Sequence, residues 1–383
     1  MANLDWAWRN VNTSTNFTNI VKNCSYSTGR QSSVDQWNPG SMLITIENTA
    51  NQAANFTLND KIRFKLEETS PPTNLYYHTF WVQEIIFNDN PGNQNASTAT
   101  IVCTDLLGRL GRAQVFGKSM PQAKTITQLT TAFTTDLPGA ATMPATYTGQ
   151  STASARTAVT NGTYTGTVAN RVNLNMVTEQ GILWQNQTQI LLIGRDDIAG
   201  LATSTINLGP ESPYYAYTDI QRIALGTDFL NSVTVSAEGL DAVNSTDAAS
   251  VLTYDIYGGT LATVDYNATQ ATGSASWQVF SRSDPTQVTF TITMTSMAES
   301  NVNEIVRRLW KESPELFAFV FYRKPGNNAL IQYLCQFQGF SFYTTPAETV
   351  FTFYLSPASF TGVFTLNSNV FGVLDQNILS FSW

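Results

Sequence analysis

Hydrophobic and polar residues alternate with a period of two along several short stretches of the first hundred residues. Met42–Glu47 and Ile62-Arg63-Phe64-Lys65-Leu66 alternate, and Phe80–Phe87 and Thr98–Cys103 follow. A period of two sends successive side chains to opposite faces, so each stretch predicts a strand with one buried face. The doubled Ile85-Ile86 breaks the period and predicts a bulge. Asp89-Asn90-Pro91-Gly92-Asn93 is turn chemistry between the last two strands. Thr104 or Asp105 is placed to cap a short helix through Leu106, Leu107 and Leu110.

From about Gln114 the pattern changes. Ile126, Leu129 and Phe133 stand at helical spacing, followed by a Gly/Ala/Thr/Ser-rich stretch, Pro138 to Thr167. Such a length without regular structure points to a functional or mobile loop, or an arm on a neighbour. A second helix is expected over Arg171–Gln180, with Gly181 as its stop signal, then a hairpin of Ile182–Gln185 and Gln189–Arg195 over Asn186-Gln187-Thr188. Strands return at Phe229–Ser236, followed by a helix capped by Asp247 and carrying Val251 and Leu252. Val288, Phe290, Ile292 and Met294 alternate cleanly. Ser300 is placed to cap a helix whose Val302, Ile305, Val306 and Leu309 form one apolar stripe. The last strands are Leu316–Tyr322, Tyr333–Phe342 and Thr349–Leu355, the first two joined by the turn Pro325-Gly326-Asn327-Asn328.

The two ends of the chain look alike. Four strands begin near Met42, Ile62, Phe80 and Thr98, and four near Val288, Leu316, Tyr333 and Thr349, with similar spacing. The one large difference falls where the Ser300–Lys311 helix is inserted. This order predicts a structural duplication, roughly Leu4–Gly111 and Phe229–Ser382.

Composition narrows the class. At 383 residues the chain is long enough for two or three units. Only 13% of it is charged, against roughly a quarter in ordinary globular proteins, and Thr, Asn, Ser and Gln fill the difference. Its 22 Phe and 15 Tyr exclude a disordered chain and suit a β-rich one. The net charge of −8 is wrong for gripping phosphate backbones. Arg307-Arg308 and Arg323-Lys324 read as solvated helix and turn positions. The start, Met1 to Trp6, lacks the charged and apolar regions of a signal peptide, and no apolar run reaches the ~20 residues that span a bilayer. A soluble chain made in a cytoplasm is expected, so sequons such as Asn55-Phe56-Thr57 and Asn161-Gly162-Thr163 follow from composition.

Candidate chemistry is sparse. Gly111 to Gly117-Lys118-Ser119 resembles a phosphate-binding loop, but five residues separate the glycines where four are needed. His78 is the only histidine, and between Tyr77 and Thr79 it reads as a strand-end polar residue. Glu67-Glu68 and Asp196-Asp197 are adjacent acids, which in a strand point to opposite faces and read as surface groups. Cys24, Cys103 and Cys335 form an odd set without metal-ligand spacing, the last two in apolar runs. No catalytic, cofactor-binding or metal-binding residue is assigned. Trp6, Trp8, Trp37, Tyr76, Tyr77, Tyr214 and Tyr215 serve either cores and subunit interfaces or, in the alternative, a sugar-binding surface.

In sequence order these segments resemble the minor tail proteins of long-tailed bacteriophages, a family related to the baseplate hub of contractile phages. Gly29-Arg30, Asp35, Pro39-Gly40, Leu43–Glu47 and Asn48 look like the family opening: a Gly-Arg, an acidic residue, a Pro-Gly turn and a strand ending in Asn. Thr104-Asp105-Leu106-Leu107 matches its Asp-Leu after the barrel strand. Glu179-Gln180-Gly181-Ile182-Leu183-Trp184, with Arg195, is similar to its middle-domain hairpin. Asn231–Val235, Asp247–Ser250 and the closing Leu366-Asn367-Ser368, Gly372–Asp375 and Leu379 resemble later signatures. Asn48–Asn51 departs from the family, which often has an Asn-Gly-Phe turn there. Nothing follows Trp383, so appended receptor-binding or peptidoglycan-cleaving domains are not expected.

The resemblance implies a mainly β chain with an α+β middle: two β-barrel-like tail-hub domains, 1–113 and 227–383, joined by a mixed domain, 114–226. It further implies a homotrimeric hub in the virion tail, without enzymatic activity. Its expected neighbours are the distal tail protein on the tube side, the tape measure protein and tip or fibre proteins. Genomic DNA would pass through without specific binding, and no membrane insertion is expected. The alternatives are a receptor- or glycan-binding tail protein and a wall-degrading enzyme.

Overall fold

The computed structural model describes residues 4–31, 36–68, 75–93, 96–119, 124–125, 157–158, 163–187, 189–193, 205–224, 229–265, 267–284, 288–295, 299–311 and 314–358. The expectations for Asp35, Ile126–Phe133, most of Pro138–Thr167, Arg195–Asp197 and the closing segment from Leu366 lie outside these residues.

The alternating stretches at the start become β1 (Leu4–Asn10), β2 (Thr15–Asn16), β3 (Val21–Gly29), β4 (Asn38–Glu47), β5 (Lys61–Glu68), β6 (Leu75–Asn88) and β7 (Thr98–Thr104). They pair antiparallel in the order β3-β4-β7-β6-β5-β1-β2. One face collects Met42, Ile44, Ile46, Ile62, Phe64, Phe80, Val82 and Ile101, all buried. Each large side chain of that face contributes roughly 1.5–3 kcal/mol on leaving water, and the sheet curls to bring them together. Tyr26 on β3 and Phe80 on β6 are separated by two strands in the sheet, yet their rings meet edge to face at 4.8 Å. Asp105 caps α1 (Leu106–Arg112) by accepting from the Gly108 amide, as expected. The bulge in β6 is real but lies at Gln83, because Val82 pairs with Cys103 and Glu84 with Val102. Beyond it Ile85 is half-buried and Ile86 exposed, which is why the pattern breaks downstream of the bulge itself. Pro39-Gly40 is also no turn; it opens β4.

The middle carries β8 (Gln114–Ser119), β9 (Lys124–Thr125), β10 (Thr157–Ala158), β11 (Thr163–Thr167), helix α2 (Val168–Glu179), and the hairpin β12 (Ile182–Asn186) and β13 (Gln189–Ile193). β8 pairs with β11 and β9 with β10. Helix α2 starts earlier than the periodicity predicts, at the Thr167 cap, and its left-handed terminal residue is Gln180 at φ 57°. Gly181 has a different job. A Cβ there would sit 2.2 Å from the Ile193 carbonyl oxygen, so the hairpin closes only over glycine.

Next come β14 (Thr205–Gly209), β15 (Tyr215–Ala216) and β16 (Asp219–Ala224). A small unit follows: β17 (Ser232–Ala237), β18 (Val243–Thr246), α3 (Ala248–Tyr254), β19 (Gly258–Thr263) and α4 (Ala268–Phe280). Its sheet, β18-β17-β19, includes a parallel pair and packs α4 over a separate core of Val233, Val235, Ala237, Ala271, Ala275 and Val279. Asn231 fastens it, donating to the Asp255 carbonyl and accepting from the Tyr257 amide. The chain ends its described part with β20 (Val288–Thr295), α5 (Glu299–Trp310), β21 (Phe317–Arg323), β22 (Leu330–Thr344) and β23 (Thr349–Pro357). Helix α5 buries the expected stripe Val302, Ile305, Val306 and Leu309, but begins at Glu299, so Ser300 lies within its first turn and is not its cap.

The duplication is written in the hydrogen bonds. In the first set β4 pairs with β7, β5 with β6, and β6 with β7; in the second β20 pairs with β23, β21 with β22, and β22 with β23, all antiparallel. The registers agree too. Lys61 opposite Trp81 corresponds to Phe317 opposite Gln336, and Met42 opposite Cys103 to Phe290 opposite Leu355. The bulge recurs at the same place and on the same residue type, Gln338 in β22 matching Gln83 in β6. On the outer side of β4 lies β3, and on the outer side of β20 lies β16. The second set thus draws its strands from either side of the small unit, and α5 is an insertion peculiar to it.

Candidate functional site: the seam between the two strand sets

The two sets are one continuous sheet because β22 pairs antiparallel with β3, from Gly339 opposite Gly29 to Thr344 opposite Cys24. Two glycines make this approach possible. A Cβ on Gly29 would lie 2.5 Å from the Gly339 Cα, and one on Gly339 would lie 2.5 Å from the Thr28 carbonyl oxygen. Gly29 is also left-handed, at φ +84°. Beside them the bulged Gln338 is locked in place: its carbonyl accepts from the Arg30 amide at 3.0 Å and its side chain from Arg30 Nε at 2.6 Å. The Arg30 guanidinium in turn lies over Trp37, 4.5 Å from the ring centre.

Aromatic rings seal the inner side. Phe340 and Phe342 of β22 meet Tyr26 of β3 at 5.7 and 5.3 Å, and Phe64 of β5 packs on Phe342 at 4.8 Å. Trp310 at the end of α5 touches Phe64, His78 and Phe340. The middle hairpin closes over the same place, since Trp184 Nε1 donates to the Leu309 carbonyl and Asn186 to that of Lys311.

His78 is not a strand-end residue. It sits inside β6 on the inward face with Phe80 and is fully buried. Its Nε2 lies 2.9 Å from the Tyr26 hydroxyl, which donates onward to Asp105 Oδ2 at 3.4 Å, where Thr28 also donates. Burial pushes the imidazole down to about 3 and so keeps it neutral, and burial also raises the Asp105 carboxyl. Gly40 leaves room for this chain: its Cβ would fall 2.3 Å from Asp105 Oδ2. These groups bond one another and face aromatic walls, an arrangement that fixes β3, β6 and α1 together. A cleft lined by Thr28, Trp37, Asp105, Trp184 and Phe340 reaches one side of it.

The remaining candidates are not brought here. The loop-like Gly111–Ser119 spans the end of α1 and strand β8, so helix precedes strand, the reverse of a phosphate-binding loop. Glu67 and Glu68 lie opposite Asp5 and Leu4 at the end of β5. The three cysteines are buried free thiols, each raised by burial. Arg307 and Arg308 both bind Glu304, Arg308 also binds Glu315, and Arg323 pairs with Glu211. Among the aromatics, Trp8 stacks on Phe64 at 4.2 Å, Trp37 is buried, Tyr214 stacks on Phe321 at 4.1 Å, and Arg63 covers Tyr77. Among the described residues no group of three or more His, Cys, Asp or Glu could hold a metal ion, and no helix is long and apolar enough to cross a membrane. The seam residues Gly339, Gln338 and Phe340 were not foreseen; an isolated glycine inside a strand pattern was their one signal.

No protein-family model matches the chain, and a search of curated proteins gives no match. Solved structures do match. A tail protein from Neisseria meningitidis MC58 is similar at TM-score 0.63 and 12% identity, with 92% of this chain and 96% of that one covered. The 43 kDa tail protein of prophage MuSo2 from Shewanella oneidensis is similar at TM-score 0.56 and 10% identity, covering 92% and 98%. An E. coli component of the type VI secretion system, itself similar in structure to the T4 bacteriophage tail proteins gp27 and gp5, gives TM-score 0.52 and 8% identity, covering 88% and 74%. The chain therefore has the fold of phage tail proteins, two copies of one strand set joined edge to edge.

Proposed function

We propose that this protein is a structural, non-enzymatic part of a phage tail: a homotrimeric hub at the distal end of the tail tube. The observation that carries the reading is the duplication. Tail tubes are sixfold rings and tips are commonly threefold, as the family resemblance implies, and a closed ring presents equivalent surfaces at each contact. Three chains with two matching strand sets each offer six nearly equivalent positions to the tube and three to the tip. The fold shared with tail proteins supports the setting. On this reading the distal tail protein sits above, tip or fibre proteins below, and the tape measure protein and then DNA occupy the bore. Three chains at −8 each carry −24 formal charges, which repel phosphates and let DNA slide.

Mass measurement of the purified protein, alone and with its tube-side neighbour, tests this. A mass of three chains in either sample is expected. Monomers in both would remove the hub, and lytic activity of the pure protein on host cell walls would replace it with an enzyme.

A further inference from the structure

Five of the thirteen large hydrophobic side chains that stand exposed among the described residues belong to the small unit, at one end of it. Leu252 is 89% exposed, Ile256 70%, Tyr257 52%, Tyr254 43% and Phe280 36%. The first four fall within six residues, from the end of α3 to the start of β19. The end of α4 joins them, because the Leu230 amide donates to the Arg282 carbonyl and Ser250 Oγ to that of Ser283. Helix α2 grips the unit at its opposite end, where Arg171 pairs with Glu238 and Thr178 Oγ1 accepts from the Val264 amide. The apolar end is built to hold its shape. Asp255 has φ 63° and ψ −178°, a backbone region that glycine alone adopts readily. Asn231, fully buried, clamps it there, donating to the Asp255 carbonyl at 2.7 Å and accepting from the Tyr257 amide at 2.8 Å. The Phe229 ring touches both tyrosines, at 5.9 Å from Tyr254 and 4.9 Å from Tyr257. A strained residue with a dedicated clamp thus fixes this run of apolar side chains in advance, which lowers the ordering cost of binding.

Charge decides what fits there. From Phe229 to Asp284 the unit carries six acidic residues and one basic, Arg282. Glu238 is matched by Arg171, and Asp265 is buried against Thr263 and Ser274. Asp247, Asp255 and Asp284 adjoin the apolar end: Asp247 caps α3, Asp255 lies within the apolar run, and Asp284 follows Ser283. We propose that this patch docks another tail protein, through a segment that presents aliphatic or aromatic side chains flanked by Lys or Arg. The aliphatic contacts cover Leu252 and Ile256, and Tyr254 and Tyr257 supply rigid amphipathic surface of the kind that anchors interfaces. The acidic rim favours basic flanks, and it disfavours both an anionic membrane and the same patch on a second copy of this chain. That the partner belongs to a tail rests on the hub reading above. The patch, and the chemistry that fits it, do not.

The test places photoreactive benzoylphenylalanine at position 252 of the full chain and illuminates purified, assembled tails. The expected cross-link joins residue 252 to a peptide of a different protein, identified by mass spectrometry, with Lys or Arg on both sides of its apolar residues. A synthetic peptide of that sequence should then bind the isolated full chain. Leu252→Ser/Ile256→Ser should weaken this binding by about tenfold or more, the loss of roughly one interface anchor, and added salt should weaken it further. The melting temperature of that variant should match wild type, since both side chains are exposed and carry no core packing. Tails that contain the chain but show no cross-link, or a cross-link to a second copy, to the same chain or to a segment without basic residues, overturn the docking site and leave the hub standing. Peptide binding that the double variant leaves unchanged overturns it as well. A chain absent from purified tails overturns both.

Discussion

Tyr26 in the first strand set and Arg222 in the second hold the same place in the sheet, opposite Met42 and Phe290 respectively. Tyr26 is 2% exposed and bonded to a buried histidine, whereas Arg222 is exposed and reaches across to the Tyr322 hydroxyl at 2.6 Å. Their partners differ in the same sense: His78 is fully buried, and its match Tyr333 is half-buried. The fold is common to both sets, so the fold does not set the difference. What sets it is what packs on each set: Trp310 of α5 and the middle hairpin close over His78, and the neighbouring strands differ as well. β22 lies along β3 and shuts water out, while no described strand lies along β16. Among the described residues the duplicated unit thus has one edge joined to a strand and one that is not, and the side chains differ accordingly.

The largest effect should come from filling the joined edge. Gly339→Ala places a Cβ 2.5 Å from a backbone oxygen that cannot move without parting the sheet. A loss of about 3 kcal/mol or more is expected, at the upper end of overpacking costs. Glu84→Ala at the matching position should stay within about 0.5 kcal/mol, as exposed substitutions do. Urea midpoints of the two variants measure this. Equal losses would mean that the seam does not distinguish the two sets.

Acid separates them next. Because burial holds His78 at about 3, against about 6.5 in an unfolded chain, the unfolded state takes up a proton first as pH falls. Stability from this group is complete above about 6.5 and is lost toward 3, at about 1.4 kcal/mol per pH unit once well below 6.5. Asp105 runs the other way. Its raised carboxyl contributes stability at low pH that is lost as pH rises through the raised value, so it offsets part of the histidine effect. The difference between wild type and His78→Phe isolates the histidine and should show that slope, whereas Tyr333→Phe should show none between pH 3 and 6.5. A flat difference curve for His78→Phe would place water beside the imidazole.

Much of the fold is legible in the sequence because strands with one wet face must alternate. Met42–Glu47 and Val288–Met294 announce themselves that way, and the spacing of the two sets carries the duplication. The stripe of α5 is legible for the same reason at the helical period. What periodicity cannot carry is pairing. Arg30 and Gln338 meet although 308 residues apart, and no local pattern encodes such an approach. The bulge lies upstream of its sequence signal, because the doubled isoleucine is an effect of the shift at Gln83. His78 shares the parity of Phe80 and Val82 and so lies on the inner face, whereas its polar neighbour Thr79 suggests a strand end. The parallel pair β17 and β19 was invisible because it needs a crossover, and neither strand records which way its partner runs.

The smallest effect distinguishes the two bulges, where the residue is the same and only the neighbour differs. Gln338 and Gln83 occupy one position in duplicated strands, and the bulge comes from the backbone registers on either side. Gln338 is 1% exposed and its side-chain oxygen takes a charge-assisted bond from Arg30. Gln83 is only half-buried, with water in reach of its amide. Gln338→Ala leaves a guanidinium donor without that acceptor, and a loss of about 1.5 kcal/mol is expected, in the range for hydrogen bonds to charged groups. Gln83→Ala should change stability by no more than about 0.5 kcal/mol. A double-mutant cycle with Arg30→Ala separates the bond from the bulge. Coupling between residues 30 and 338 assigns the loss to the seam. An equal loss for Gln83→Ala, or no coupling, would assign it to the bulged backbone, and the two strand sets would then be alike at the bulge.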